Sequence, residues 1–278
     1  MNIPWKIKSS MFAIIDLLSL HTLLYFIQRN ITKSSRLENL SVSEIWIKHS
    51  SSLKKYDVAN TVFEFGAGKS LAQNLYLSGF VRNQIVVDLH PMIELELVET
   101  ARNLLSSQCE LKAGIEIRTF TNLAEYGIEY RAPFDASSTD FQNSSIDACI
   151  STNTLEHIPK DEIIKIFKEL HRILKPHGIV STYIDYSDHY AHTDSSISNL
   201  NYLKFSDTQW KKYNHRVHFQ NRMRHYDYLD IFNDCGFKMI EEEVFYEEDK
   251  FPDKIADKFA NKPKTVAATS AYIVLKKK

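Results

Sequence analysis

Residues 61–70 read TVFEFGAGKS, so the short apolar strand Thr61-Val62-Phe63-Glu64-Phe65 runs straight into the turn Gly66-Ala67-Gly68-Lys69-Ser70. The whole chain of 278 residues has only 7 glycines, which makes two of them within three positions informative. Two phosphate-binding readings of the turn fail. A phosphate loop ending in Gly68-Lys69-Ser70 requires glycine at position 63, where Phe63 stands, and Glu64 would repel the phosphate. A G-x-G-x-x-G dinucleotide turn requires a third glycine at position 71, which is Leu71.

A third reading fits better: a ligand that brings positive charge rather than phosphate to the turn. S-adenosylmethionine carries an ammonium and a sulfonium there, and a carboxylate such as Glu64 then helps. The two glycines let the backbone approach such a ligand. Downstream residues agree. A second apolar strand, Gln84–Asp88, ends on an acid about 20 residues after the turn, placed to accept both hydroxyls of a ribose. Asp135-Ala136 follows a third strand, in position to meet an adenine amino group.

Periodicity supplies the rest of the frame. Val42, Ile45, Trp46 and Leu53 mark a helix within residues 40–58. Leu71–Leu77 reads as helix, and Ile93, Leu97, Ala101, Leu104 and Leu105 recur at helical spacing after Pro91. A short helix is expected near Leu123. Tyr130–Asp135 and Ile146–Ser151 read as strands three and four. Ile163, Phe167, Leu170 and Leu174 mark a helix that should stop at Pro176 and Gly178, before a fifth strand over Gly178–Asp185. Beyond it come a helix over Tyr226–Asp234 and strands over Phe237–Phe245 and Ala271–Leu275. Strands that alternate with helices specify an α/β fold with a mostly parallel sheet.

With these pieces in order, EFGAG at Glu64–Gly68, VVD at Val86–Asp88, FDA at Phe134–Ala136, IDACISTNTLEHI at Ile146–Ile158 and HRILKPHGIV at His171–Val180, the chain resembles the class I S-adenosylmethionine-dependent methyltransferases over roughly residues 60–185. The resemblance implies a Rossmann-like seven-stranded sheet, mostly parallel with an antiparallel last strand and flanked by helices. It also implies S-adenosylmethionine as cofactor, held by Glu64, Gly66, Ala67, Gly68, Asp88, Leu89, Asp135, Ala136, Thr152 and Asn153. Two departures stand out: Ser70 replaces a third glycine, and the segment between Ser107 and Ala132 is long. The division expected is an N-terminal helical extension over residues 1–58 and a methyltransferase domain over 59–278, with 186–224 as an inserted substrate or lid segment.

Methyl transfer to an oxygen calls for a base, since an alcohol is a poor nucleophile. Five of the 11 histidines lie between 189 and 225. His189 and His192, which follow the fifth strand, are candidates for the base. So is His157 after the fourth, where the resemblance implies a pocket-shaping role for the pair Glu156-His157. Asp188, Asn221, Arg222 and Arg224 are candidates to bind the acceptor. Asp185, Asp188, His189 and His192 combine groups that suit a divalent ion, but their spacing fits no tight signature and no metal is assigned. The aromatics Tyr186, Tyr190, Tyr202, Phe205, Trp210, Tyr213 and Phe219 are the kind that stack on sugar rings, which favours a small-molecule or glycan acceptor. A lipid-like acceptor at a membrane surface and a non-catalytic, cofactor-binding partner subunit are the alternatives.

Composition narrows the classes further. Lys and Arg number 34 against 35 Asp and Glu, so no basic field points to nucleic acid. Three cysteines, Cys109, Cys149 and Cys235, form no paired framework, as expected in a reducing, cytoplasmic setting. Met11–Ile27 is apolar, but Asp16 and His21 interrupt it, no small-residue cleavage site follows, and it is short for a bilayer. Residues 1–35 therefore read as helix, packed on the core or on a second copy in a homodimer, or resting peripherally on the inner membrane surface.

Overall fold

The structure, a computed structural model, describes residues 3–20, 37, 40–246, 251–260 and 266–278. Its apolar runs pair into one sheet: β1 (Thr61–Phe65), β2 (Asn83–Val87), β3 (Ile128–Arg131), β4 (Ile146–Thr152), β5 (Leu174–Asp185), β6 (Phe237–Tyr246) and β7 (Ala268–Lys277), in the order β3-β2-β1-β4-β5-β7-β6. β1 to β5 are parallel, and β7 runs antiparallel between β5 and β6. The register sets Phe65 beside Val87 and Glu64 beside Ile150. The carboxyl ends of β1, β2 and β4 therefore open on one edge, the usual binding crevice of such a sheet.

Helices cover both faces. Their order is α1 (Trp5–Leu17), α2 (Glu44–Lys55), α3 (Ala72–Leu77), α4 (Leu95–Leu105), α5 (Lys160–Ile173), the single turn α6 (Asp207–Trp210), α7 (His225–Asp234) and a last turn α8 (Asp257–Ala260). One face packs α5 and α7 through Phe167, Leu170 and Phe232 onto Phe63, Cys149 and Val180. The other packs α2 and α3 through Leu53, Tyr76 and Leu77 onto Val62, Ala148 and Ile179.

Two boundaries differ from the pattern reading. The third strand is Ile128–Arg131, starting two residues and ending four residues earlier than expected, since Ile128 pairs with Gln84 and Pro133 has no N–H to offer a ladder. Helix α5 ends at Ile173, not at Pro176, because a residue before proline is pushed toward extended backbone; Leu174 and Lys175 already belong to β5.

Residues 186–224 form no open lid. Tyr190, Leu200, Tyr202, Leu203 and Trp210 bury against Trp5 and Phe12 of α1 in a core of their own. The Trp5 ring sits 4.8 Å from that of Tyr213 and 5.7 Å from that of Tyr190, and the Trp5 backbone N–H donates to Asp194 Oδ2 at 2.8 Å. The opposite face of α1 leaves Ile7, Met11, Ile14 and Leu17 exposed. Residues 21–27 of the expected N-terminal helices lie outside the described residues. No helix among the described residues is long and apolar enough to cross a membrane.

Candidate active site

At the open edge the glycine turn takes the geometry its sequence requires. Gly66 and Gly68 have φ of +77° and +74°, and the Gly66 N–H donates to Val87 O at 2.9 Å. Thr154, beyond β4, presses on the turn so closely that position 66 has no room for a Cβ. A cavity of about 440 Å³ opens between the turn and the ends of β2 and β4. Phe65, Val87, Phe134 and Ile166 give it apolar walls, and Asp88 and Asp135 bring carboxylates to its rim. Flat apolar walls with an acid at the end of β2 fit an adenosine. Of the cofactor residues expected, Gly66, Asp88, Leu89, Asp135 and Ala136 line this cavity.

Asp88 is set by its neighbours. Tyr130 donates its hydroxyl to Oδ2 at 2.9 Å. Burial pushes the carboxyl up to about 6, against the Tyr130 hydroxyl and the Gly68 N–H, which both lower it.

Glu64 and Thr152 do not line the cavity. Glu64 accepts from Gln73 Nε2 at 2.9 Å and from Asn74 Nδ2 at 2.7 Å, and burial pushes its carboxyl up to about 7. Thr152 donates to Gln73 Oε1 and meets His49 Nε2 at 3.0 Å. His49 is fully buried, its Nδ1 is 2.7 Å from Ser181 Oγ, and burial pushes its pKa down to about 3. A buried polar chain thus runs from α2 through β5, β4 and α3 to the carboxylate under the glycine turn. Gln73, Asn74 and His49 escaped the sequence reading; the two amides one helical turn after the glycines were the available signal. Ala67 packs partly buried against the Leu71 cluster, and Gly68 borders open space. Asn153 is exposed, with a φ of 50°.

The histidines gather where expected. His157 lines the cavity and its ring centre lies 4.9 Å from that of His189, which lies 4.9 Å from that of His192. His157 donates Nδ1–H to Phe219 O at 2.9 Å, which leaves Nε2 as its lone-pair atom. Burial lowers the pKa of both His157 and His192. Asp185 closes the group from the end of β5. Burial would raise its carboxyl, but His189 and Ser187 outweigh that and hold it near 2. Glu156 lies beneath, 1% exposed, with no well-formed hydrogen bond to either carboxylate oxygen. Burial pushes it up to about 8.

The four residues expected to bind the acceptor instead build the wall behind these histidines. Asp188 is sealed, accepting from Tyr190 N at 2.9 Å and Asn201 Nδ2 at 3.1 Å. Asn221 donates to Leu155 O and Ile158 O, both at 2.8 Å, and accepts from Tyr228. Arg222 bonds Tyr202 O, Phe205 O and Asp207. Arg224 is wholly buried and donates to Tyr186 O, Val266 O, Ala268 O and the Tyr202 hydroxyl. Irregular backbone leaves carbonyls without ladder partners, and the forked donors of Asn221, Arg222 and Arg224 supply them, while Asp188 serves a backbone N–H and an amide as acceptor. Tyr186, Tyr190, Tyr202 and Trp210 are interior as well, so their ring faces are not offered to a sugar.

Comparison with known proteins agrees with this geometry. Residues 64–182 match the family described as a methyltransferase domain. Among solved structures, the chain is similar to one in the complex that contains the Haloferax volcanii Trm112 methyltransferase activator, at 17% identity and a TM-score of 0.51, over 91% of this chain and 94% of that one. It is also similar to a TehB-like S-adenosylmethionine-dependent methyltransferase from Corynebacterium glutamicum, at 12% identity and a TM-score of 0.49, over 94% and 99%. A third is an S-adenosylmethionine-dependent methyltransferase from Clostridium acetobutylicum, at 14% and 0.47, over 93% and 98%. No curated protein matches the chain. These structural likenesses are of fold; the family match over β1 to β5 makes this stretch a class I methyltransferase domain, with S-adenosylmethionine as its cofactor.

Proposed function

We propose that this chain, an S-adenosylmethionine-dependent methyltransferase, methylates a hydroxyl of a polar acceptor, such as a sugar of a surface polysaccharide or glycolipid. The observation that carries the reading is His157, which belongs both to the cavity wall and to the His189–His192–Asp185 group. Proton-accepting side chains therefore stand beside the place where the cofactor fits.

When bound, the cofactor supplies a methyl group made electrophilic by its sulfonium. The chain's own part is to hold, align and deprotonate. Asp88 accepts the ribose hydroxyls, Asp135 meets the adenine edge, and Phe65 and Phe134 exclude water. His157, with Nδ1–H fixed on Phe219 O, presents Nε2 to take a proton. His189 and His192 are the other two candidates for this base, and Asp185 orients both. Support for a hydroxylated acceptor rests on this group and not on the aromatic residues.

A lipid-like acceptor is the second reading, favoured by the exposed stripe Ile7, Met11 and Ile14 on α1, which is held against the wall of the histidine group. A screen of cofactor consumption against sugar nucleotides, glycans, lipids and small phenols tests both. Turnover with a glycan or sugar nucleotide supports the first reading; turnover confined to lipids, with binding to liposomes, replaces it with the second.

A further inference from the structure

Asp185 ends β5, and the chain turns so tightly after it that two imidazoles return to its carboxylate. Asp185 Oδ2 stands 3.4 Å from His189 Nε2 and 3.6 Å from His192 Nε2. Atoms bound to one ion at the usual zinc distances, in a tetrahedral array, stand about 3.3–3.4 Å apart. Two histidines and one carboxylate form a donor set for divalent first-row metals, with Ser187 Oγ 3.1 Å from His192 Nε2 as the group an ion would displace.

A second observation points the same way. His189 is 9% exposed, and its Nε2 faces the Asp185 carboxylate at 3.4 Å without closing to a well-formed hydrogen bond. Glu156, Nε2 or Nδ1 of His157, and His189 offer another set of donor atoms within 4.8 Å of one another. Both Glu156 oxygens are buried with no well-formed hydrogen bond, only loose approaches of the Glu156 and Asp185 backbone, a costly arrangement for a polar group. His157 is already fixed by a carbonyl on its far nitrogen, as metal-binding histidines usually are. Asp185 is fixed in the same way, its Oδ1 accepting from Ser187 N at 2.8 Å.

We propose that Asp185, His189 and His192 hold a divalent transition-metal ion, with Glu156 and His157 beside it through the shared His189. With their Nε2 atoms on the ion, His189 and His192 could not also be the base, which would leave His157 in that role; the ion would orient acceptor oxygens next to the cofactor cavity and favour acceptors bearing two neighbouring hydroxyls. This rests on the reading of the acceptor as a hydroxyl compound.

The test uses the full chain, stripped with a chelator and titrated with Co²⁺ alone while visible absorption is followed, with Zn²⁺ as competitor. The expected result is one Co²⁺ per chain with d–d bands, displaced by Zn²⁺. His192→Ala, at a half-exposed position, and Asp185→Asn should each weaken binding by at least about tenfold. His177→Ala, far from the group, should not. Far-UV circular dichroism checks that each variant is folded. Absence of Co²⁺ binding, or binding equal in wild type and both variants, overturns the site. Methylation of a hydroxyl acceptor that proceeds at full rate in chelator would also overturn it while leaving the proposed function standing. Specific Co²⁺ binding without any hydroxyl acceptor found would do the reverse.

Discussion

A Cβ placed on Gly66 would fall 2.3 Å from Thr154 Cγ2 and 2.6 Å from its Oγ1. The turn after β1 and the turn after β4 therefore touch at a residue that has no side chain, and the cofactor cavity begins at that contact.

Gly66→Ala should fail twice. The backbone at a φ of +77° costs a non-glycine residue roughly 1–2 kcal/mol, and the methyl must push Thr154 aside. The expected result is a lower unfolding midpoint and S-adenosylmethionine binding weaker by about tenfold or more, with part of the loss recovered by adding Thr154→Ala. Calorimetry that shows wild-type affinity for Gly66→Ala would remove the turn from the cofactor site.

Asp88 gives the cofactor affinity a pH dependence. Its carboxyl is raised from 3.8 to about 6, so between those values the folded chain keeps a proton that the unfolded chain has released. The group's contribution to stability accordingly falls as pH rises through that window. Cofactor binding has the opposite sign, because the ionised carboxylate is the better acceptor for ribose hydroxyls. Affinity should drop by about fivefold from pH 6 to pH 5, as the ionised fraction falls from about a half to about a tenth. Asp88→Asn should be weak and flat across the range, and a wild type equally flat from pH 5 to 8 would contradict the assignment.

Arg224→Met keeps bulk and removes donors. Four buried oxygens would lose a donor; Tyr186 O and the Tyr202 hydroxyl keep each other, while Val266 O and Ala268 O lose the Arg224 bond at about 1–3 kcal/mol for each left unsatisfied. Urea unfolding should show a loss of several kcal/mol, with cofactor affinity unchanged in whatever fraction stays folded. Unchanged stability together with lost turnover would return Arg224 to the acceptor site.

His49 should make stability fall in mild acid. Burial lowers its pKa to about 3 from an ordinary 6.5, so below 6.5 the unfolded chain takes up a proton that the folded chain refuses. Stability is lost as pH falls, by at most about 1.4 kcal/mol per unit for one group. His49→Gln should flatten the difference between unfolding measured at pH 7 and at pH 5; an identical slope in wild type and variant would place the titration elsewhere.

The sheet was legible because its signals are local. Gly66 and Gly68 punctuate an apolar strand, and Asp88 sits where a parallel register must bring it beside the turn. The third strand slipped because Tyr130 and Phe134 look alike to a hydrophobicity pattern, and only pairing with Gln84 decides between them. The histidines were legible as position, since β5 delivers His189 and His192 to the rim beside His157. Arg222 and Arg224 were not, because an arginine that serves distant carbonyls and one that binds a ligand have the same sequence signature. Their acceptors at Tyr202 and Val266 are neighbours only in three dimensions. The same holds for the aromatic run, which reads as a binding surface until Trp5 is seen to cover it.

The packing of Trp5 also bears on how the chain comes into being. Its N–H bond to Asp194 joins residues 189 apart in sequence. On a ribosome adding about 5–20 residues per second, α1 waits roughly 10–40 s for the partners that bury it. During that interval Trp5 and Phe12 are exposed together with Ile7, Met11 and Ile14, which stay outward even in the finished fold. Helix α1 is thus made well before the residues that settle it, and the nascent chain carries an uncovered apolar helix through that interval.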